Sequence, residues 1–335
     1  EILYTVSSDT MADVQSVIAS IASSGVDIRV MTEDTLKSLL VGGMSISVYS
    51  DAYERVSEVY SLTDDDDYSY TLYEYTDIGK MEYTLSGSTR QDVRDVIASL
   101  EAAIAEANEL TSVRDLVETG DVLNVTTYLV MGDMSLTIYD AAGRNVEAVW
   151  SVDDAGVLSY TAYEYNAAGD LVYTVTGEGR SVVESAIAAL AGVVLSELDE
   201  VSVTSILTTS NMSLTVYDTE DDVVDFIWSI NDTLDVTYTK YVYNEDNKVL
   251  YTLSGDSKAT VEATLDILPD YATLSTLTNA DMDTYLPTTN MSLTVYDVTT
   301  DKVSYVWSRD DGGDVTYTEY RLSLIHISEP TRPTT

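Results

Sequence analysis

The chain has 335 residues, with 16 basic against 58 acidic side chains and a formal net charge of −42. Affinity for nucleic acid comes largely from Lys and Arg neutralising phosphates, so this balance excludes a nucleic-acid partner and disfavours an anionic membrane surface. Cysteine is absent and His326 is the one histidine, which removes disulfides, thiolate chemistry and the commonest general base.

Apolar residues make up 45% of the chain and aromatics 9%, in regular patterns, so the high charge does not mean disorder. Four related heptapeptides mark the organisation: Met44-Ser-Ile-Ser-Val-Tyr-Ser50, Met134-Ser-Leu-Thr-Ile-Tyr-Asp140, Met212-Ser-Leu-Thr-Val-Tyr-Asp218 and Met291-Ser-Leu-Thr-Val-Tyr-Asp297. Their spacings of 90, 78 and 79 residues are the signature of a tandem array. Residues 1–43 are expected to be a truncated repeat, because Glu1–Ser8 match Lys248–Gly255 of a later unit. A helix striped with Val14, Val17 or Ile18, and Ile21 follows, then a connector. Full repeats are expected at 44–133, 134–211 and 212–290, with a truncated fourth at 291–321.

The third unit reads most clearly. Met212–Asp218 alternates Met, Leu and Val against Ser, Thr and Tyr, the period of a strand with one apolar face. Asp218–Asp222 forms a turn, and Val223–Ile230 reads as a strand covered on both faces, with Val224, Phe226 and Trp228 against Val223 and Ile227. Val236–Tyr243 and Val249–Leu253 complete a four-stranded antiparallel meander joined by short polar turns. The spacing of Val261, Leu265 and Leu268 predicts an amphipathic helix over Ser257–Leu268, stopped by Pro269. In the first unit Val93, Val96, Leu100 and Ile104 form the same stripe, and Ser88 with Gln91 and Ser181 with Glu184 have capping-box spacing. A Thr-, Ser- and Asp-rich connector closes each unit, and Val122–Val130 has room for a further strand. The fold class is α+β: tandem units of about 80 residues, each a four-stranded antiparallel meander followed by one amphipathic helix.

Three features are candidate sites. Tyr73 with Tyr75, Tyr163 with Tyr165, and Tyr241 with Tyr243 stand two apart, hence on one strand face, joined by Tyr49, Tyr139 and Tyr217. That face reads either as a binding platform for carbohydrate or a surface protein, or as stabilising cross-strand pairs. Asp64, Asp65, Asp66 and Asp67, Asp153 with Asp154, and Asp310 with Asp311 cluster in turns, where Asp serves as a turn former or as a Ca²⁺ ligand. No calcium-binding motif is present, and no other cofactor is implied. Asn124, Asn211, Asn231 and Asn290 have N-glycosylation acceptor context, Asn211 and Asn290 at matching places. The recurring Tyr60, Trp150, Trp228 and Trp307 sit among apolar neighbours and read as core.

Two resemblances bear on kinship. Leu322-Ser-Leu-Ile-His-Ile-Ser-Glu-Pro-Thr-Arg332 is similar to the translation of a transposase mosaic-end sequencing adapter, so residues 322–335 are excluded from fold reasoning. Tyr139–Arg144 and Tyr163–Leu171 resemble the Tyr-Asp repeats of bacterial Rhs-type shells. Those repeats are shorter and carry no helix, so the likeness implies shared hairpin chemistry rather than kinship. The expected role is non-enzymatic: a repeat segment of a larger acidic protein, exported or on the cell surface, with structural or adhesive work and neighbouring repeats as partners. The alternatives are a binding module using the Tyr face and an intracellular halophile scaffold. No apolar run reaches membrane-spanning length.

Overall fold

The computed structural model describes residues 2–50, 55–106, 112–118, 128–129 and 132–320. The adapter-like tail, Asn124 and nearly all of Val122–Val130 lie outside the described residues. The fold is α+β, dominated by antiparallel sheet. Two compact units divide the chain: Glu1–Gly169 with Thr174–Ala188, and Asp170–Tyr173 with Ala189–Thr335.

In the first unit the order is β1 (Tyr4–Ser7), α1 (Met11–Ser24), α2 (Glu33–Lys37), β2 (Met44–Tyr49), β3 (Val56–Leu62), β4 (Tyr68–Tyr75), β5 (Met81–Gly87), α3 (Arg90–Glu106), α4 (Val113–Glu118), β6 (Met134–Tyr139), β7 (Val146–Val152) and β8 (Leu158–Tyr165). Each strand from β1 to β8 pairs antiparallel with the next, including β1 with β2 and β5 with β6 across the intervening helices. Strand β9 (Leu171–Gly177) and α5 (Arg180–Leu190) are shared between the units. The second unit holds α6 (Glu200–Ile206), β10 (Met212–Asp218), β11 (Val223–Ile230), β12 (Val236–Tyr243), β13 (Val249–Gly255), α7 (Lys258–Leu265), α8 (Tyr271–Leu274), α9 (Asn279–Tyr285), β14 (Ser292–Asp297), β15 (Lys302–Arg309) and β16 (Val315–Glu319). Strands β10 to β16 again pair in chain order, antiparallel throughout.

Strand alternation places the core on one sheet face. Met212, Leu214, Val216, Phe226, Trp228, Ile230, Tyr238 and Leu253 are buried there, with Val261 of α7 over them. Removing a Val or Leu side chain of this kind from water contributes roughly 1.5–3 kcal/mol. Tyr60, Trp150, Trp228 and Trp307 are all buried, as their apolar neighbours predict. At Gly87 and Gly255, the last residues of β5 and β13, a Cβ would lie 3.1 Å from Val93 Cγ2 and from Met291 Cγ, respectively. The close helix crossing and the next buried Met would have to give by a few tenths of an ångström to admit a side chain.

Several expectations change. The connectors hold a second, shorter helix: α2, α4, α6 and α9, docked by Leu36, Leu116, Val203 and Met282. Their Thr, Ser and Asp residues are N-caps, with Thr32, Ser112, Asp199 and Thr278 each accepting a backbone N–H three residues on. Such helices are too short to show a stripe. The long helices start elsewhere than Ser88 and Ser181: Thr89 Oγ1 accepts the Asp92 N–H, and Ser181 lies inside α5. In α1 Val17 is buried while Ile18 points to solvent.

The second strand is covered on one face only. A β-bulge between Val216 and Tyr217, opposite Asp225, puts Val224 across from Tyr217 and away from Phe226 and Trp228. A period-two reading has no means of seeing that extra residue.

Candidate functional site

Among the described residues the opposite sheet face carries no helix. Its residues in the first unit include Ser45, Ser47, Tyr49, Val59, Ser61, Ser69, Thr71, Tyr73, Tyr75, Thr84 and Ser86, then Ser135, Thr137, Tyr139, Val149, Ser151, Ser159, Thr161, Tyr163 and Tyr165. In the second unit Ser213, Thr215, Tyr217, Ile227, Ser229, Thr237, Thr239, Tyr241, Tyr243, Thr252, Ser254, Ser292, Thr294, Val306 and Ser308 continue the pattern. None is charged. The ionised strand residues lie on the helix side, as with Glu58 against Arg90 and Arg94, or Asp225 against Lys240.

Serine hydroxyls meet across this face at 2.7 Å in Ser7–Ser45, Ser61–Ser69, Ser86–Ser135, Ser151–Ser159 and Ser254–Ser292. The tyrosine pairs divide into two kinds. Tyr75, Tyr165 and Tyr243 each donate a hydroxyl hydrogen bond to a strand carbonyl, of Val56 (2.8 Å), Val146 (2.9 Å) and Val224 (2.7 Å). The bulge ends backbone pairing at those carbonyls, and the tyrosine replaces the missing donor. Burial pushes the Tyr243 hydroxyl up to about 12, with the Tyr241 phenol adding to the rise. Tyr73 and Tyr241 are half-buried, and burial raises their pKa too. The Tyr241 and Tyr243 rings lie 6.3 Å apart at 19°, nearly parallel.

Sequence reasoning missed the clamps on the helix side. Arg90, the first residue of α3, donates to the Met31 carbonyl, while Glu33 of α2 accepts its backbone N–H. Lys258, the first residue of α7, donates to the Ser196 and Leu198 carbonyls, and Glu200 of α6 accepts its N–H at 2.6 Å. In both places a glutamate from the preceding short helix caps the long helix, where the dipole favours an anion. Lys80 and Lys248 likewise reach the Ala141 and Val298 carbonyls in the following turns. Their only sequence signal is scarcity, since the chain has six lysines.

The acidic turns are built as loops. Asp153 Oδ1 and Asp310 Oδ1 accept the N–H of Val157 and Asp314, and Thr63 Oγ1 does the same for Asp67. Asp133 and Asp154 share a hydrogen bond that holds the Asp133 carboxyl above its ordinary range. Among the described residues no three acidic groups stand together as a metal-ligand set. Asn211 and Asn290 have φ values of 57° and 60°, where Gly43 and Asp133 have 71° and 60°. A left-handed residue is needed before each Met strand, and asparagine tolerates it, so the backbone alone accounts for that residue type.

No family model matches the chain, and no curated protein does. Among solved structures, "Crystal Structure of TcdB2-TccC3" is similar with a TM-score of 0.23 and 10% identity, over 87% of this chain and 14% of that one.

Proposed function

We propose that the chain is a tandem array of units of about 80 residues, acting as a non-enzymatic, contact-making segment of an exported or cell-surface protein. The array reading is supported by the recurring heptapeptides and by the same bulge, tyrosine latch and short-helix cap at matching places. The observation that carries the functional reading is that, among the described residues, each unit has a helix-free face of uncharged strand side chains in a chain of net charge −42. Acids fill the turns and helices and keep the rest of the surface soluble and self-repelling, leaving these faces for contact. Half-exposed Tyr beside Ser and Thr suits such a role, since these side chains are adaptable and lose little entropy. Catalysis lacks the usual groups, with no Cys and no His before position 326.

Beads coated with the chain test this reading. They should adhere to one another or to glycan-coated surfaces, and Thr137→Lys with Thr215→Lys should abolish adhesion by placing charge on the face. Ser99→Lys with Ser185→Lys, on exposed helix positions, should leave it intact. Equal effects of the two pairs would overturn the assignment of function to this face.

A further inference from the structure

We infer that the tyrosine stripe of this face binds an uncharged, extended polysaccharide laid across the strands; the inference rests on the contact reading above. In the first unit the tyrosines stand on every second strand, with Tyr49 on β2, Tyr73 and Tyr75 on β4, Tyr139 on β6, and Tyr163 and Tyr165 on β8. They share one end of the face, as the strand register places them beside the turns that follow β2, β4 and β6. Two strand spacings are about 9.5 Å. An extended pyranose disaccharide covers the same length, so successive ring pairs meet sugars that present the same face. In the second unit Tyr217, Tyr241 with Tyr243, and Tyr296 repeat the stripe on β10, β12 and β14.

The chemistry of the stripe selects the class of polymer. Each tyrosine offers an apolar ring and a polar tip, which match the C–H face and the hydroxyl rim of a pyranose. The nearly parallel Tyr241 and Tyr243 rings form one platform. Ser and Thr hydroxyls beside them both donate and accept, as sugar hydroxyls do. The strand side chains of this face offer no countercharge to a uronate or an amine, the Arg55 guanidinium at its end being stacked on the Tyr75 ring, and the net charge of −42 repels polyanions. At the strand ends between Tyr75 and Tyr139 a shallow cleft of about 430 Å³ runs from the tyrosine stripe round to the helix side, where Asp77, Lys80, Glu82 and Arg114 line it. A second, of about 240 Å³, sets Tyr296 against Asn247 and Lys248. Each gives an aromatic wall with hydrogen-bonding groups opposite, which a sugar needs for orientation.

The test is co-sedimentation of the full chain with amorphous cellulose and with colloidal chitin, alongside alginate beads. The chain should bind at least one of the two neutral polymers and not the anionic one. Tyr73→Ala with Tyr241→Ala should weaken binding about tenfold or more, equivalent to roughly 1.4 kcal/mol. Tyr73→Phe with Tyr241→Phe keeps the rings and should bind as the parent does, which separates lost stacking from lost folding. Absence of binding to both neutral polymers, retention of binding in the Ala pair, or stronger capture by alginate overturns the inference. So does a self-associated form, seen by sedimentation, that the Ala pair dissolves; that result would leave the face as a contact surface with a second copy as its occupant.

Discussion

Tyr243→Phe should loosen one defined hairpin while Tyr241→Phe, two residues away on the same face, should not. The Tyr243 hydroxyl donates to the Val224 carbonyl at 2.7 Å, beside the bulge that ends pairing between β11 and β12. Phenylalanine keeps the ring and its near-parallel neighbour and removes that bond alone. A hydrogen bond of this kind contributes about 0.5–1.5 kcal/mol net, rising toward 1–3 kcal/mol if the abandoned carbonyl stays away from water. Both residues are half-buried, so water reaches the carbonyl and the expected cost is about 1 kcal/mol. Among the described residues the Tyr241 hydroxyl makes no protein hydrogen bond, and its removal should cost less than about 0.5 kcal/mol. Proteins open locally as well as globally, so the readout is hydrogen exchange at the amides of Tyr217–Lys240, supported by the thermal midpoint. Faster exchange in Tyr243→Phe only is the expected result. Equal exchange in the two variants, or faster exchange in Tyr241→Phe, would refute the assignment of the latch.

Three further outcomes follow from the geometry. Leu234 has φ 66° and is 58% exposed, so Leu234→Gly should stabilise its turn; relief of about 1–2 kcal/mol against a glycine entropy cost of about 0.5–1 kcal/mol gives a small rise in thermal midpoint, and a fall would contradict it. Burial alone would raise the Glu58 pKa, but the Tyr60 hydroxyl at 2.5 Å, Arg90 and Arg94 outweigh it and lower the value from 4.5. A carboxylate so depressed stabilises fully above its unfolded pKa and loses that contribution as pH falls through the folded value. Glu58→Gln should therefore lower the midpoint at neutral pH and flatten the acid limb below about pH 4.3, and an acid limb as steep as the parent's would sink the idea. Raising NaCl from about 0.01 to 0.15 M shortens the Debye length from about 30 to 8 Å and should raise the midpoint of so acidic a chain. A flat salt series would reject the charge-repulsion reading, while stabilisation by micromolar Ca²⁺ at matched ionic strength would point to specific sites at the Asp turns.

The strands were largely legible because alternation along a half-buried strand is a strong local signal. Met212–Asp218, Val223–Ile230 and Val236–Tyr243 are observed with the bounds their patterns predict. Tyr217 falls on the face its spacing from Ser213 and Thr215 implies. The bulge at Asp225 was not legible, since it depends on where β10 stops matching β11, and it misled the placing of Val224. The short helices were hidden because four to seven residues cannot show a stripe, and their cap residues imitate loop composition. On the candidate face the tyrosines were visible, but the division between latches and stripe was not. A phenol's partner on a strand two neighbours away has no trace in local spacing.

Hydroxyl-radical footprinting of the full chain most directly tests whether the helix-free face is open. Tyr73 and Tyr241 should be modified readily, while Tyr70 and Tyr238, alternating with them on β4 and β12 but buried on the helix side, should stay protected. Protection of Tyr73 and Tyr241 to the level of Tyr70 and Tyr238 would mean that the face is covered, and would contradict its role as the contact surface.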